Sequence, residues 1–585
     1  MRRPFYRVIP AKATLVERTS RPRRREGLMQ RVKRPLPRWE DRSLHHLHQT
    51  NSRDLLRRVD SSLYEVSPSG DGRDTPSTVL QQLCSFSDLL SAAHSSQSSI
   101  MAGSSNKFMT IEDFKAAFSL FCSVCGVGSL GLPGNYARAG YFWASFGFFF
   151  MAAVNTYATW CIAKVMLVAP QTVFTFGDLA EWSMGKGGRY VTTFAQTVMC
   201  TLLPIVFLVL GGSLLVVLFP MSFSQTTWIV LMGITLLPVC LIPTLKEGAG
   251  AAAAGCLGTI FADGIALYLL ITNMQDVNPT GISPPGPEIG FEQVTTVFGN
   301  LALAYGAGIM IPTLLREHSE PERLPKLILI TMGVICSFFL LVSILGVFST
   351  GCQTPGNLLF SIANPALGFT ADRGFVILSF LFMQLHITIA FAVVIFPVFQ
   401  IMERIFLRMH IYELDAPLAS ANDIETPAID AVGTSFHDEK APIVNHIDPA
   451  DAYKVPGAYF KAATLRTIMV VLCVIVAVIW KDHLGSLMDF VGASSSCTVC
   501  MILPIIFYNK TFWTTTSIAE KAIGAVFVLV TVFLAIYVSI NTGKELFAPE
   551  AKDATILFPL CPTNYQKVVF TNTTHFAPSR ALFGY

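Results

Sequence analysis

From about residue 114 onward the chain alternates long apolar runs with short polar loops, and this alternation constrains the fold more than any other feature. There are about eleven runs: 114–134, 141–168, 190–219, 226–245, 248–272, 293–315, 324–350, 373–402, 462–480, 486–508 and 519–541. A bilayer core of about 30 Å is crossed by roughly 20 apolar residues in an α-helix, which is the length of these runs. Hydrophobic residues make up 52% of the chain and charged residues 14%, where soluble domains carry roughly 25% charge. The expected fold class is therefore all-α and polytopic, with about eleven transmembrane helices. The fourth and ninth runs fit least well, since the fourth is short and the ninth has Arg466 near its start.

Lys and Arg in the loops set an orientation, because positive charge is retained on the cytoplasmic side. With the N-terminus cytoplasmic, Lys186, Arg189, Lys246, Arg316, Arg323, Lys326, Arg404, Arg408, Lys440, Lys454, Lys461, Lys510 and Lys521 fall in cytoplasmic loops. Arg138 and Lys481 then lie outside, with Arg373 at an edge. Residues 1–110 are polar, rich in Arg and Ser, and read as a disordered cytoplasmic tail; 111–543 form the transmembrane domain and 544–585 an exterior tail. Met101 and Met109 precede the first run and offer alternative starts. The exterior tail carries the glycosylation sequon Asn572-Thr573-Thr574. Cys352 and Cys561 share that side, where they can form a disulfide.

Two runs are interrupted. The first contains Cys125-Gly126-Val127-Gly128-Ser129-Leu130-Gly131-Leu132-Pro133, and the sixth contains Ala304-Tyr305-Gly306-Ala307-Gly308-Ile309-Met310-Ile311-Pro312. Glycine is costly inside a helix and proline removes a backbone donor. Gly- and Pro-interrupted segments at matching positions of two halves point to a transporter site. Spans one and six match if the first ten form two inverted repeats of five. Unwound backbone exposes N–H groups that bind a carboxylate, helped by the helix dipole, and carbonyls that accept from an ammonium group. The candidate substrate-binding residues are Cys125, Gly126, Val127, Gly128, Ser129, Ala304, Tyr305, Gly306 and Gly308. Glycines also let membrane helices approach closely, so packing is the competing reading of each Gly-x-Gly. Tyr305 fits either a pocket wall or simple packing.

These residues resemble the amino acid/auxin permease family, within the amino acid–polyamine–organocation group. The first span looks like the family's G-x-G-x-L-G-L-P signature, and Ala137-Arg138-Ala139-Gly140 is similar to the A-x-A-G that follows it. Thr175-Phe176-Gly177-Asp178-Leu179 through Gly185-Lys186-Gly187-Gly188-Arg189-Tyr190 resembles a family loop. Further likenesses lie in the sixth span, in Pro321, Leu324 and Pro325, in Phe396-Pro397 with Glu403, and in Gly492 with Pro504. The resemblance covers about residues 110–543 and implies a LeuT-like, five-plus-five inverted repeat with helices one and six broken. It also implies proton- or sodium-coupled amino acid symport. Sodium-coupled relatives often carry Asn before the first Gly-x-Gly, where this chain has Phe121-Cys122-Ser123-Val124, which favours the proton as coupling ion.

Charged groups at membrane depth are rare and usually functional. Asp263 lies midway along the fifth run, and His386 and Thr388 lie in the eighth. In the fold that the resemblance implies, helices one, five and eight surround the coupling-ion position, which makes these three the ion-coupling candidates. The competing reading is local hydrogen bonding, which is common for mid-membrane Thr. Asp489, Glu112 and Asp113 are expected at the membrane interfaces. Most of the 13 cysteines lie in apolar runs as small packing residues, and Cys497-x-x-Cys500 is a weak signal for metal or redox chemistry. No catalytic residue, metal site or cofactor is expected.

The chain lacks the P-loop of an ATP-driven pump, the clustered charges of a membrane enzyme, and the charged ring of a channel. A secondary transporter of amino acids, coupled to protons by symport, is the expected function. A sensing receptor on the same fold, or a sodium-coupled or antiporting carrier, is the alternative. The partners implied are an amino acid and the lipid bilayer, and the net charge of +3 gives no reason to expect nucleic acid. One chain holds the whole expected fold, so a monomer suffices. The membrane is either the plasma membrane or that of a vacuole or lysosome.

Overall fold

The computed structural model describes residues 109–549 apart from 220, 244–247, 274–285, 349, 364–367, 370–372 and 410–451, together with 556, 558–567 and 576–577. The expectations for residues 1–108, for the loop between the eighth and ninth spans, and for the Asn572 sequon lie outside the described residues. Within them the chain is a helical membrane protein. Nine helical stretches are long and apolar enough to cross a bilayer, and Gln225–Cys240 is a shorter apolar helix.

In chain order the helices are α1 (Ile111–Val124), α2 (Leu132–Val168), α3 (Phe176–Met184), α4 (Lys186–Leu218), α5 (Gln225–Cys240), α6 (Gly248–Asn273) and α7 (Phe291–Ala304). There follow α8 (Ile311–Glu317), α9 (Leu324–Phe348), α10 (Arg373–Leu407), α11 (Ala458–Ile479), α12 (Leu484–Val491), α13 (Leu503–Thr511) and α14 (Ile518–Phe547). The helix starts are written in the sequence. Thr110 and Asp113 form a reciprocal capping box at α1, and Thr175 and Asp178 do the same at α3. α2 is 37 residues long, which is about 55 Å as straight helix and nearly two bilayer cores. It is folded at Gly140, whose φ of 71° is open to glycine but strained for other residues. The expected first and second runs thus meet at that bend.

The stretches Phe291–Glu317 and Leu484–Thr511, containing α7–α8 and α12–α13, are the most enclosed, with 72% of their apolar windows buried. In α14 the figure is 22%, so α14 belongs to the lipid-facing periphery. α6 packs along α10, and α9 along α2.

The two least certain spans hold each other. α5 stops at Cys240, short of the expected residue 245, because Pro243 disfavours helix at the residue before it. The carbonyls freed there are taken by Arg466 of α11, whose Nη1 lies 3.0 Å from the Cys240 oxygen and 2.7 Å from that of Ile242. Arg466 Nε donates to Glu403 Oε1 of α10 at 2.7 Å, and Tyr453 donates to Glu403 Oε2 at 2.7 Å. The guanidinium also lies over Phe396 and Phe399. The charge that made the ninth run doubtful is therefore a fully partnered tie between α5, α10 and α11.

At one end of the bundle, Cys352 and Cys561 form a disulfide with Cα atoms 5.0 Å apart. It joins the chain after α9 to the segment after α14, and β1 (Gly368–Phe369) pairs antiparallel with β2 (Phe576–Ala577).

Candidate functional site: two interrupted helices

Between α1 and α2 the chain leaves the α-helix at Cys125 and Gly126 and passes through a 3₁₀ turn at Val127–Gly131. Between α7 and α8 it leaves at Tyr305, crosses Gly306 and Ala307, and makes a 3₁₀ turn at Gly308–Met310. The two interruptions lie against each other. A Cβ placed on Gly128 would stand 2.5 Å from the Ala304 Cα, so only glycine permits this approach. Interruption and close packing, posed as alternatives for each Gly-x-Gly, occur together at Gly128.

The first interruption is polar. Ser129 is fully buried, and its Oγ lies 2.7 Å from Asp263 Oδ2 of α6 and 3.0 Å from the Gly126 carbonyl oxygen. Asp263 is also fully buried, and its Oδ1 has no hydrogen-bond partner among the described residues. An uncompensated buried carboxylate oxygen is costly, so it is expected where a proton or another ligand comes and goes. His386 of α10 completes the surround. Its Nδ1 lies 2.9 Å from the Gly255 carbonyl of α6, and a Cβ on Gly126 would meet its Cε1 and Nε2 at 3.3 Å. Cys125 and Val127 are buried in the apolar packing on either side.

The second interruption is neutral and aromatic. Tyr305 is fully buried, with Phe148 and Phe339 edge-on to its ring at 5.9 and 5.2 Å. Ala304 packs on Gly128, while Gly306 and Gly308 face Ser496 and Cys500.

Of the three ion-coupling candidates, the structure brings Asp263 and His386 to the first interruption and leaves Thr388 outside. Thr388 is exposed on the lipid side of α10 and donates to the Gln384 carbonyl of its own helix at 2.8 Å. Two residues along a helix is a rotation of about 200°, so His386 and Thr388 cannot share a face.

Sequence reasoning missed Ser496 and Cys500 as site residues. The available signal was Ser494-Ser495-Ser496-Cys497, a polar stretch inside an apolar span after Gly492. Asp489 and Asp113, expected at the membrane interfaces, are buried in ion pairs at the two ends of the bundle. Arg138 Nη1 meets Asp489 Oδ2 at 2.8 Å at one end of the bundle. At the other, Asp113 meets His318 Nε2 at 3.1 Å and Arg323 Nη2 at 2.8 Å. A lateral cleft of about 640 Å³, lined by residues including Tyr157, Trp160, Cys336 and Glu520, involves none of the site candidates.

Among known proteins, the profile of the transmembrane amino acid transporter protein family matches residues 109–543. Amino acid transporter AVT1I of Arabidopsis thaliana is 21% identical over 414 residues, covering 68% of this chain and 86% of its own length. The solved structure of MhsT in complex with L-phenylalanine aligns with 76% of this chain and 100% of its own at 13% identity and a TM-score of 0.42. The manganese transporter of Eremococcus coleocola with an aromatic bis-isothiourea compound aligns with 77% and 92% at 11% identity and a TM-score of 0.46.

Proposed function

The chain belongs to the transmembrane amino acid transporter family, and on that premise we propose that it is a proton-coupled amino acid symporter working by alternating access. In this reading the bundle crosses the membrane eleven times as two inverted five-helix repeats plus one, with α1 starting on the cytoplasmic side. The Lys and Arg distribution supports that orientation. So does the disulfide at the opposite end, since such bonds persist in oxidising, non-cytosolic compartments.

The observation that carries the proposal is the position of the Ser129 hydroxyl, within hydrogen-bond reach of both Asp263 and the Gly126 carbonyl. It has one hydrogen to give. With Asp263 ionised, Ser129 donates to the carboxylate. With Asp263 protonated, the carboxyl donates to Ser129 Oγ, and the hydroxyl turns its hydrogen to the Gly126 carbonyl. One proton on Asp263 thereby changes how many acceptors the unwound backbone offers a substrate. His386, fixed by Gly255 and facing Gly126, lines the same stretch and is a second candidate for carrying the proton. The amino acid's charged ends bind the backbone of the two interruptions, and its side chain lies toward Tyr305. Arg138–Asp489 closes the exterior end and Asp113–Arg323 the cytoplasmic end, and alternating access opens them in turn.

Purified protein in liposomes under an inward proton gradient, free of sodium, should accumulate labelled amino acid from a mixture, and a protonophore should abolish this. Uptake that appears only with sodium would refute the proton assignment. Amino acid binding with no uptake under either gradient would refute transport in favour of sensing.

A further inference from the structure

An interrupted helix leaves backbone groups without intrahelical partners, and in a membrane each must be satisfied by something else. At the end of α7, Tyr305 N–H still reaches the Leu301 carbonyl at 3.1 Å, but Gly306 N–H turns to Leu303 at 3.3 Å. The Ala302 carbonyl has thus lost the N–H that a continued helix would give it. Ser496, fully buried, donates its hydroxyl to that carbonyl at 2.8 Å. On the far side of the gap the next turn begins at Gly308 and Ile309, and the Cys500 side chain lies against the backbone N–H groups of both.

The fit between the two spans is tight. A Cβ on Gly306 would stand 3.1 Å from Ser496 Oγ, and one on Gly308 would stand 3.1 Å from Cys500 Cα. Between α12 and α13 the tenth span is wound as π-helix over Gly492–Ser496 and Thr498–Ile502. Such winding is uncommon and concentrates at functional sites. The two cysteines of the C-x-x-C point to different neighbours, Cys497 toward the Thr531 carbonyl of α14 and Cys500 toward the turn at Gly308–Met310, and both are free thiols.

We propose that Ser496 and Cys500 are positioning residues for substrate binding, a clasp by which the tenth span holds the sixth open. Ser496 holds the carbonyl side of the gap and Cys500 the N–H side. The backbone of Tyr305–Ala307 between them is kept unwound for the amino acid. This rests on the transporter reading above, but the clasp can be read without transport.

Two measurements on protein in lipid nanodiscs and liposomes test it, using Ser496→Ala, Cys500→Ala and Cys500→Ser. The first is amide hydrogen exchange over the peptide containing Ala302–Met310, with no substrate present. Both alanine variants should speed exchange there at least tenfold and leave α14 unchanged, and Cys500→Ser should restore most of the protection. The second is uptake kinetics for the amino acid that the wild type accumulates best. Both alanine variants should raise KM at least fivefold with maximal rate per folded molecule within twofold, and Cys500→Ser should return KM toward the wild-type value. Unchanged exchange at the gap overturns the clasp even if transport proceeds normally. Faster exchange with an unchanged KM, accompanied only by a lower melting temperature, reduces both residues to structural ones and also overturns the proposal. A wild type that transports nothing while the exchange differences stand overturns the symporter reading and the substrate role, leaving only the helix-to-helix ties.

Discussion

At the first interruption the neighbouring helices supply ionisable groups, Asp263 from α6 and His386 from α10. At the second they supply a hydroxyl, a thiol and aromatic rings, from Ser496, Cys500, Phe148 and Phe339. The sequence device is the same in both places, Gly-x-Gly followed by proline. The difference is in what satisfies the freed backbone. A neutral partner such as Ser496 holds one geometry at every pH. In the mechanism proposed above, Ser129 beside Asp263 has two hydrogen-bond arrangements, selected by a proton. In that proposal the second interruption is the fixed receptor and the first is the place where ion binding acts on it.

The comparison treats a partly unpartnered buried carboxylate as functional, so the sharpest control is a buried carboxylate that is fully partnered. Glu403 is that group. Glu403→Gln leaves the Arg466 charge buried without its counter-ion, a change that costs about 3–5 kcal/mol. The expected result is a large drop in folded yield and melting temperature, with normal proton stoichiometry in the protein that survives. If Glu403→Gln instead folds normally and loses coupling, partner count is a poor guide to function here.

Asp263→Asn comes next. Removing a charged hydrogen bond is worth roughly 1.5–3 kcal/mol, or about ten- to a hundredfold in an equilibrium. Gradient-driven accumulation should fall by that factor, while exchange of labelled for unlabelled amino acid across the membrane persists. Accumulation that stays protonophore-sensitive in this variant would remove Asp263 from the mechanism and leave His386 as the candidate. Below this in size stands a pair of glycine changes. Gly128→Ala drives a methyl into the Ala304 backbone, and overpacking of this kind costs roughly 1–3 kcal/mol. Gly126→Ala meets only the His386 ring at 3.3 Å, which a small shift relieves. Uptake should be lost in the first and reduced only severalfold in the second. Equal losses would mean that the approach of the two interruptions is not what Gly128 provides.

The features legible in the sequence were those in which a residue is out of place for its own segment. Glycine and proline within an apolar run marked both gaps, and a lone acid or histidine at membrane depth marked Asp263 and His386. What stayed hidden depended on partners distant in the chain. Arg466 looked like a defect of the ninth span until Glu403 and the Cys240 carbonyl were beside it. Ser496 drew no reading and Cys500 only a weak one as part of the C-x-x-C, because the π-winding that turns them onto Ala302 and Gly308 is not a pattern of residue types. Thr388 differs for a simpler reason, since two residues along a helix turn it to the face opposite His386.

The smallest effect belongs to the tie between Asp113 and Arg323, which extends the comparison to a third carboxylate. Burial penalises the Asp113 carboxylate, but hydrogen bonding from Thr110, whose backbone N–H donates to Oδ2, and the charges of Arg323 and His318 outweigh it and hold its pKa below the ordinary value. A carboxylate held low in the folded state contributes stability above its unfolded pKa of about 3.9 and loses it as pH falls through the folded value. Asp113→Asn should therefore lower stability by roughly 1–2 kcal/mol, because Asn can still accept from the Thr110 N–H in the capping box but no longer pairs with Arg323. The gap between wild type and variant, followed by thermal unfolding in detergent, should stay open from pH 7 to pH 5 and close only below about pH 4, as the carboxylate itself takes a proton. A closure between pH 7 and 5 would mean that the tie itself responds to protons in the range of the proposed coupling, and the first interruption would then share its pH sensitivity with this end of the bundle. A gap still open over that range leaves the tie a fixed latch, with Asp263 and His386 the groups proposed to give transport its pH dependence.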